Sequence, residues 1–312
     1  MRKQREQMLQ NSSPEPVVIP QKRPLLAWAL LCTLALVWGS SFILIKRSLG
    51  AFPPEQVAGG RLLFALLFFL PFMGTQSRQA EVRTSVQHRW VALLASGIIG
   101  FVIPAFLFAE AGAHLNSSLA GALNSLSPLF TLILGAVFFG QALKIRQVAG
   151  ILLGLAGSLL LVFFSATGSF QVNGYALLVV LATICYGLNT NLIGRYLSHL
   201  PALVSTAWLF AFAGPIALLT LTPTDFFVRV FNPANSWSLA ALVTLGVFGS
   251  GLMSIFFNRV MQLSSPLFAA SVTYLIPIVA LGWGMLDGET IYLVQFAGMG
   301  VCLLGIWLIN KS

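Results

Sequence analysis

Charge is what this chain has least of. Asp, Glu, Lys and Arg make up 8% of its 312 residues, against roughly 25% in soluble domains. A soluble core of this size needs a charged coat, and these residues are too few to make one. The three cysteines, Cys32, Cys185 and Cys302, fall in apolar stretches without metal-ligand spacing, and an odd trio is no disulfide framework. The three histidines, His88, His114 and His199, stand far apart. HExxH, GxSxG and Walker-type loops do not occur, which removes the metalloprotease, acyl-transfer and ATP-motor readings. We expect no catalytic residue, no cofactor and no metal site, and any energy source to be an ion or solute gradient.

Acid is scarcer than base. Eight Asp and Glu face seventeen Lys and Arg, for a net charge of +9 and a sequence pI near 10.0. The basic residues are scattered over loops, with no stripe and no nucleic-acid motif, so their expected partner is anionic membrane lipid rather than nucleic acid.

What is abundant is apolar surface: 57% of residues are hydrophobic, and mean hydropathy is +0.89. Stretches of about 17 to 25 apolar residues between turn-like breaks read as membrane helices. Ten are expected, near 25–45, 56–73, 90–110, 118–139, 147–164, 174–194, 202–221, 238–258, 266–286 and 292–310. Residues 1–24 are polar and Pro-containing and read as a disordered cytoplasmic tail. The apolar segment that follows is too long for a cleaved signal, so the first span should be retained.

Charge bias sets the orientation. With the N-terminus inside and ten spans, thirteen basic residues fall on the cytoplasmic side: Arg2, Lys3, Arg5, Lys22, Arg23, Arg78, Arg83, Arg89, Lys144, Arg146, Arg195, Arg259 and Lys311. Lys46, Arg47 and Arg229 fall outside, and Arg61 lies within the second helix. That split follows the positive-inside rule, with both termini cytoplasmic in a plasma or inner membrane.

The chain also repeats itself about 148 residues apart. LNSLSPLF (Leu123 to Phe130) leads into FFGQAL and VAGILLGLAG, and VTYLIPIV (Val272 to Val279) leads into LDGE and FAGMGVCLLG. Pro128 matches Pro277, Gly150 matches Gly298, Gly157 matches Gly305, and Trp38-Gly39 matches Tyr186-Gly187. Five spans per half is an odd number, so the second copy enters from the opposite face. The expected organisation is a repeat over 25–164, a linker at 165–173 and an inverted repeat over 174–312, with a site at their interface.

These residues resemble a known family. WGSSF near the end of the first span, RLLFALLFF in the second, LSPLFTLILGAVFFGQ in the fourth and YLIPIVALGWGMLDGE in the second half look like the EamA family of the drug/metabolite transporter superfamily. The resemblance covers about residues 25 to 310 and implies an all-α integral membrane protein of ten helices in two inverted five-helix repeats. It also implies export of small metabolites such as amino acids. One departure is visible: Gly140-Gln141 stands where the family usually has Gly-Glu, while Gly288-Glu289 keeps it.

Polar residues in mid-span must face protein or a water-filled cavity, because an unpartnered polar group in hydrocarbon costs several kcal/mol. Matched places in the two repeats supply Trp38, Ser40 and Ser41; Asn124, Ser125 and Ser127; Tyr186, Asn189, Thr190 and Asn191; and Thr273, Tyr274 and Trp283. We expect Trp38, Ser41, Asn124, Ser125, Tyr186, Asn189, Thr273 and Tyr274 to contact substrate. Pro128 and Pro277 lack an N–H, which should open the helix near the Asn124 and Thr273 carbonyls. The competing use of each polar residue is helix packing, since Ser and Thr bond back to their own helix and Asn can join two.

Arg61, an intramembrane charge, costs on the order of 3 kcal/mol on insertion scales. Its expected partner is Glu110 or Glu55; otherwise it snorkels to the outer headgroups. Its counterpart in the repeat is Leu209, so the charge is not duplicated. Glu110 and Glu289 are the carboxylates that proton or ion coupling would use, although Glu289 also reads as a loop cap. Gly150, Gly154 and Gly157 with Gly298, Gly300 and Gly305 form small-residue faces suited to a rigid scaffold or a homodimer face. A carrier of a small neutral or zwitterionic metabolite explains the repeat, the prolines and the polar cluster together. A channel or a membrane protein without transport activity is the alternative, and an enzyme lacks a convergent acid–base or metal set.

Overall fold

The computed structural model describes residues 25–76, 80–142, 144–164, 174–264 and 266–310. The N-terminal tail and the linker at 165–173 lie outside the described residues. All secondary structure among the described residues is helical. In hydrocarbon each backbone polar group must be satisfied within its own segment, and a helix does this for a Leu-, Ala-, Val- and Phe-rich run.

The principal helices are α1 (Leu25–Ser48), α2 (Pro54–Gln76), α3 (Trp90–His114), α4 (Ser117–Phe139), α5 (Ile145–Phe164), α6 (Gly174–Leu197), α7 (Ala202–Leu221) and α8 (Pro233–Leu263). The segments Pro266–Ala270, Ser271–Tyr274 and Ile276–Leu286 together make α9, and α10 is Leu293–Asn310. Seven stretches, α1 to α4 and α6 to α8, are long and apolar enough to cross a membrane. The other three carry shorter apolar runs, Ile145–Gly157, Ile276–Leu286 and Leu293–Gly305. Leu36, Leu67, Val137, Phe138, Leu152, Leu219 and Leu304 are exposed on the helix flanks. So much outward apolar surface is stable against lipid, not water. The protein is a membrane protein.

Two stretches expected to be breaks contain short helices. Ala80–His88 stands between α2 and α3, and Phe226–Val230 between α7 and α8. The second is pinned because Phe226 is buried against Phe52, with ring centroids 5.7 Å apart. At its start Asp225 accepts from Gln56 Nε2 (2.7 Å) and Arg229 Nε (2.7 Å).

The repeat seen in the sequence returns in the backbone. A π-helical turn occupies Ile98–Val102 in α3 and Leu245–Leu252 in α8, while a further one at Ile193–Leu197, the end of α6, has no counterpart in α1; the matched pair lies in corresponding helices. Each is the third helix of its half. Ahead of Pro128 the ladder tightens to i→i−3 bonds (Ser125 N to Ala122 O, Leu126 N to Leu123 O, both 3.1 Å), and ahead of Pro277 it becomes a 3-10 turn. Each half then turns through a glycine of positive φ, Gly140 (66°) and Gly288 (74°). Only glycine takes that conformation without strain.

Packing follows the same duplication. α2 lies on α7, α4 on α9 and α5 on α10, while α1 on α9 is answered by α6 on α4, and α1 on α8 by α6 on α3. Exchanging each helix with its counterpart maps these pairs onto one another, as a pseudo-two-fold axis requires. α5 and α10 meet through their small faces. A Cβ on Gly157 would come within 2.6 Å of Cys302 N, and one on Gly305 within 2.6 Å of Gly150 O. Within the chain these glycines act as a scaffold seam.

A central cavity between the two repeats

A cavity of about 140 Å³ lies between the halves. Its walls come from α1, α2, α3, α4, α6, α8 and α9. Of the residues expected at a site, Trp38, Ser41, Asn124, Tyr186, Asn189 and Thr273 line it, joined by Ser127 and Thr190.

The π turns shape two opposite walls. A π turn widens the helix and releases a carbonyl from the i→i−4 ladder. In α8 the Gly249 carbonyl accepts the Trp38 indole N–H at 2.8 Å, which fixes that ring with its centroid 5.3 Å from Phe257. In α3 Gly100 leaves room for Asn189: a Cβ there would lie 2.0 Å from the amide nitrogen. Ser41 occupies the position in α1 that Asn189 occupies in α6, and a Cβ on Gly249 would lie 3.1 Å from its hydroxyl. Both walls thus set a π-turn glycine against a polar residue of the opposite repeat's first helix.

The hydroxyls are largely committed to their own helices. Ser41 donates to Val37 O (3.1 Å), Ser127 to Asn124 O (2.9 Å), Thr190 to Tyr186 O (2.8 Å) and Thr273 to Ala270 O (2.9 Å). The Asn124 carbonyl loosened by Pro128 is therefore taken by Ser127. By contrast, the side-chain oxygens of Asn124 and Asn189 are buried without a hydrogen-bond partner. Such atoms cost about 1–3 kcal/mol unless something fills them.

Three expectations change. Ser125 lies outside the cavity: it is fully buried and donates to Ala122 O at 2.6 Å, because the tightened turn before Pro128 rotates it away. Arg61 neither pairs with Glu110 or Glu55 nor snorkels. It turns inward onto the cavity wall, where its Nε donates to Ser250 Oγ of α8 at 3.0 Å. Glu110 lies half exposed outside the cavity and faces His114 at 3.4 Å, one turn along its own helix. The Tyr274 side chain lies outside the described residues.

Sequence reasoning missed the contribution of α3 and α8. Phe101 and Phe108 supply rings, and Ser250, Ser254 and Asn258 supply a polar stripe. Their i, i+4, i+8 spacing places them on one helix face, a signal that could have revealed them.

One end of the structure is tied by charge. Glu289, after the Gly288 turn, accepts from Ser117 N (2.9 Å) and Oγ (2.8 Å), from Ser118 N (3.1 Å) and Oγ (2.8 Å), and from Lys46 Nζ (3.0 Å). It thus caps the start of α4, where free N–H groups and the helix dipole favour an anion. Burial alone would raise the Glu289 pKa, but these donors hold it at about 2. Asp287 adds ion pairs to Lys46 (2.5 Å) and Arg47. The clasp therefore joins α1 and α4 of one half to the α9–α10 turn of the other. The counterpart turn has an amide where the clasp has its carboxylate: Gln141 Nε2 donates to Asn191 Oδ1 (3.0 Å), and Asn191 Nδ2 donates to Thr131 O (2.8 Å).

The profile of the EamA-like transporter family matches this sequence twice, over residues 25–163 and 173–311. The chain belongs to the EamA-like transporter family. An uncharacterized inner membrane transporter of Escherichia coli, YedA, is 26% identical, covering 90% of this chain and 89% of that one. A probable amino-acid metabolite efflux pump of Salmonella typhimurium is 25% identical over 89% of this chain and 93% of its own. A WAT1-related chloroplast protein of Arabidopsis thaliana is 24% identical, covering 91% of this chain and 69% of that one. A solved crystal structure 19% identical to this EamA-like chain superposes with a TM-score of 0.62, covering 93% of this chain and 97% of the other, which is a likeness of fold.

Proposed function

We propose that this protein is a secondary carrier of the inner or plasma membrane that exports a small neutral or zwitterionic metabolite by alternating access. The observation that carries this reading is the cavity itself, enclosed by matching helices of two repeats and tied by charge at one end. In this reading the three shorter apolar helices also cross the membrane, giving ten spans and two inverted five-helix repeats. The pseudo-two-fold axis then lies in the membrane plane and passes near the cavity, as in other inverted-repeat carriers. The scatter of basic residues supports an orientation with both termini in the cytoplasm and the clasp on the outer face.

The cavity suits such a solute. Trp38, Phe42, Phe101, Phe108, Tyr186 and Phe257 offer apolar ring surface, and Asn124 and Asn189 offer hydrogen-bond acceptors. A probable amino-acid efflux pump among the relatives supports an amino acid as the first candidate. Counterflow in proteoliposomes tests the proposal. Preloading with one member of an unlabelled amino-acid panel should accelerate uptake of the same labelled compound. Downhill flux without trans-stimulation would indicate a channel instead.

A further inference from the structure

Arg61 stands on the cavity wall without a counter-ion. Its Nε donates to the neutral Ser250 hydroxyl, and no carboxylate pairs with it among the described residues. The acids that could have reached it are engaged or turned away. Glu110 faces His114, Asp225 holds Arg229, Asp287 and Glu289 hold Lys46, and Glu55 is exposed. A cation kept in a largely apolar membrane cavity is costly, and an anion placed against it recovers much of that cost. A guanidinium held at Nε still presents its terminal N–H groups as a fork that fits a carboxylate.

The rest of the wall narrows the ligand further. Asn124 and Asn189 hold unfilled buried oxygens, which call for a donor such as an ammonium. Arg61 is the cation on the described cavity wall, whereas a phosphate or dicarboxylate would call for several. The remaining lining is mostly aromatic and aliphatic.

We propose that Arg61 reads the carboxylate of the transported solute, making it the specificity-determining residue for monocarboxylates that also carry a donor group and an apolar body. This rests on the carrier reading above and names its substrate class. Arg61 belongs to α2 of the first repeat and Ser250 to α8 of the second, so a carboxylate bound to Arg61 sits where the two halves meet.

The test uses matched probes on the purified full chain: L-phenylalanine against L-phenylalaninamide, and L-leucine against L-leucinamide, alongside hydroxy acids and fatty acids of similar size. Binding is followed by calorimetry, and counterflow in parallel. We expect at least one acid to bind tenfold or more tighter than its amide. Arg61→Gln should bring the acid down to the level of the amide, and Arg61→Lys should recover part of the difference. Should Arg61→Gln not fold, Ser250→Ala keeps the charge but frees Nε, and should cut the acid preference severalfold. Equal binding of acid and amide by the unaltered protein would overturn the assignment, as would an acid preference that survives Arg61→Gln. It also falls if no carboxylate of the panel binds. In each case, counterflow of a neutral solute would show that the carrier reading stands without it, and loss of counterflow for every solute would mark failure of that reading.

Discussion

Glu289 is the residue whose surroundings make the sharpest demand. Two backbone N–H groups, two hydroxyls and an ammonium converge on one carboxylate whose side chain is 2% exposed. Its pKa of about 2 lies below the ordinary 4.5, so its charge stabilises the fold fully above about pH 4.5. That contribution fades as pH falls toward 2. Glu289→Gln should therefore destabilise the fold at pH 7 by about 1.5–3 kcal/mol, the worth of a lost charged hydrogen-bond set, which reads out as a lower thermal midpoint. The gap between variant and parent should narrow as pH falls below 4.5. A gap that is constant from pH 7 to 3 would show that the carboxylate charge is not what matters. Residues of this kind were partly legible in the sequence. Glu289 reads as a cap because it follows a glycine turn, but its target, the start of α4, is set by tertiary packing. Arg61 shows the opposite limit: its cost was readable, but not its direction, because the rotation of a helix that is apolar nearly all round is decided by its neighbours.

At the level of the element, the prolines and π turns govern how α3, α4, α8 and α9 meet the cavity. The breaks at Pro128 and Pro277 were legible because proline removes a donor wherever it stands. The loss of Ser125 from the wall was not, since it depends on the change from i→i−4 to i→i−3 bonding just upstream. The π turns left no comparable mark, apart from the paired glycines Gly97 and Gly100 in α3 and Gly246 and Gly249 in α8. Pro128→Ala or Pro277→Ala would let the α-helical ladder run on and turn Asn124 or Thr273 away from the cavity. We expect either change to lower the transport rate of the reconstituted protein at least severalfold while membrane insertion and yield stay near normal. Normal turnover per folded molecule, with yield alone reduced, would leave the prolines a purely structural role.

For the whole molecule, the central feature is a two-fold arrangement with unequal ends. One end carries the Lys46–Glu289 clasp, while its counterpart is built on the neutral Gln141 and Asn191. The repeat and its apolar helices could be read from sequence, since both rest on patterns of one residue type. The inequality was visible only as the Gly-Gln departure, and its meaning needed the partners in place. Alternating access requires that opening one end closes the other. This is tested by a single cysteine at Ser254, on the cavity wall, in a background without Cys32, Cys185 and Cys302. An impermeant thiosulfonate is applied to right-side-out and inside-out vesicles, with and without Lys46→Ala to loosen the clasp. The account predicts reaction from both faces, with Lys46→Ala raising the rate from the clasp side and lowering it from the other. Reaction from one face alone, or two rates that do not move in opposite directions, would contradict it.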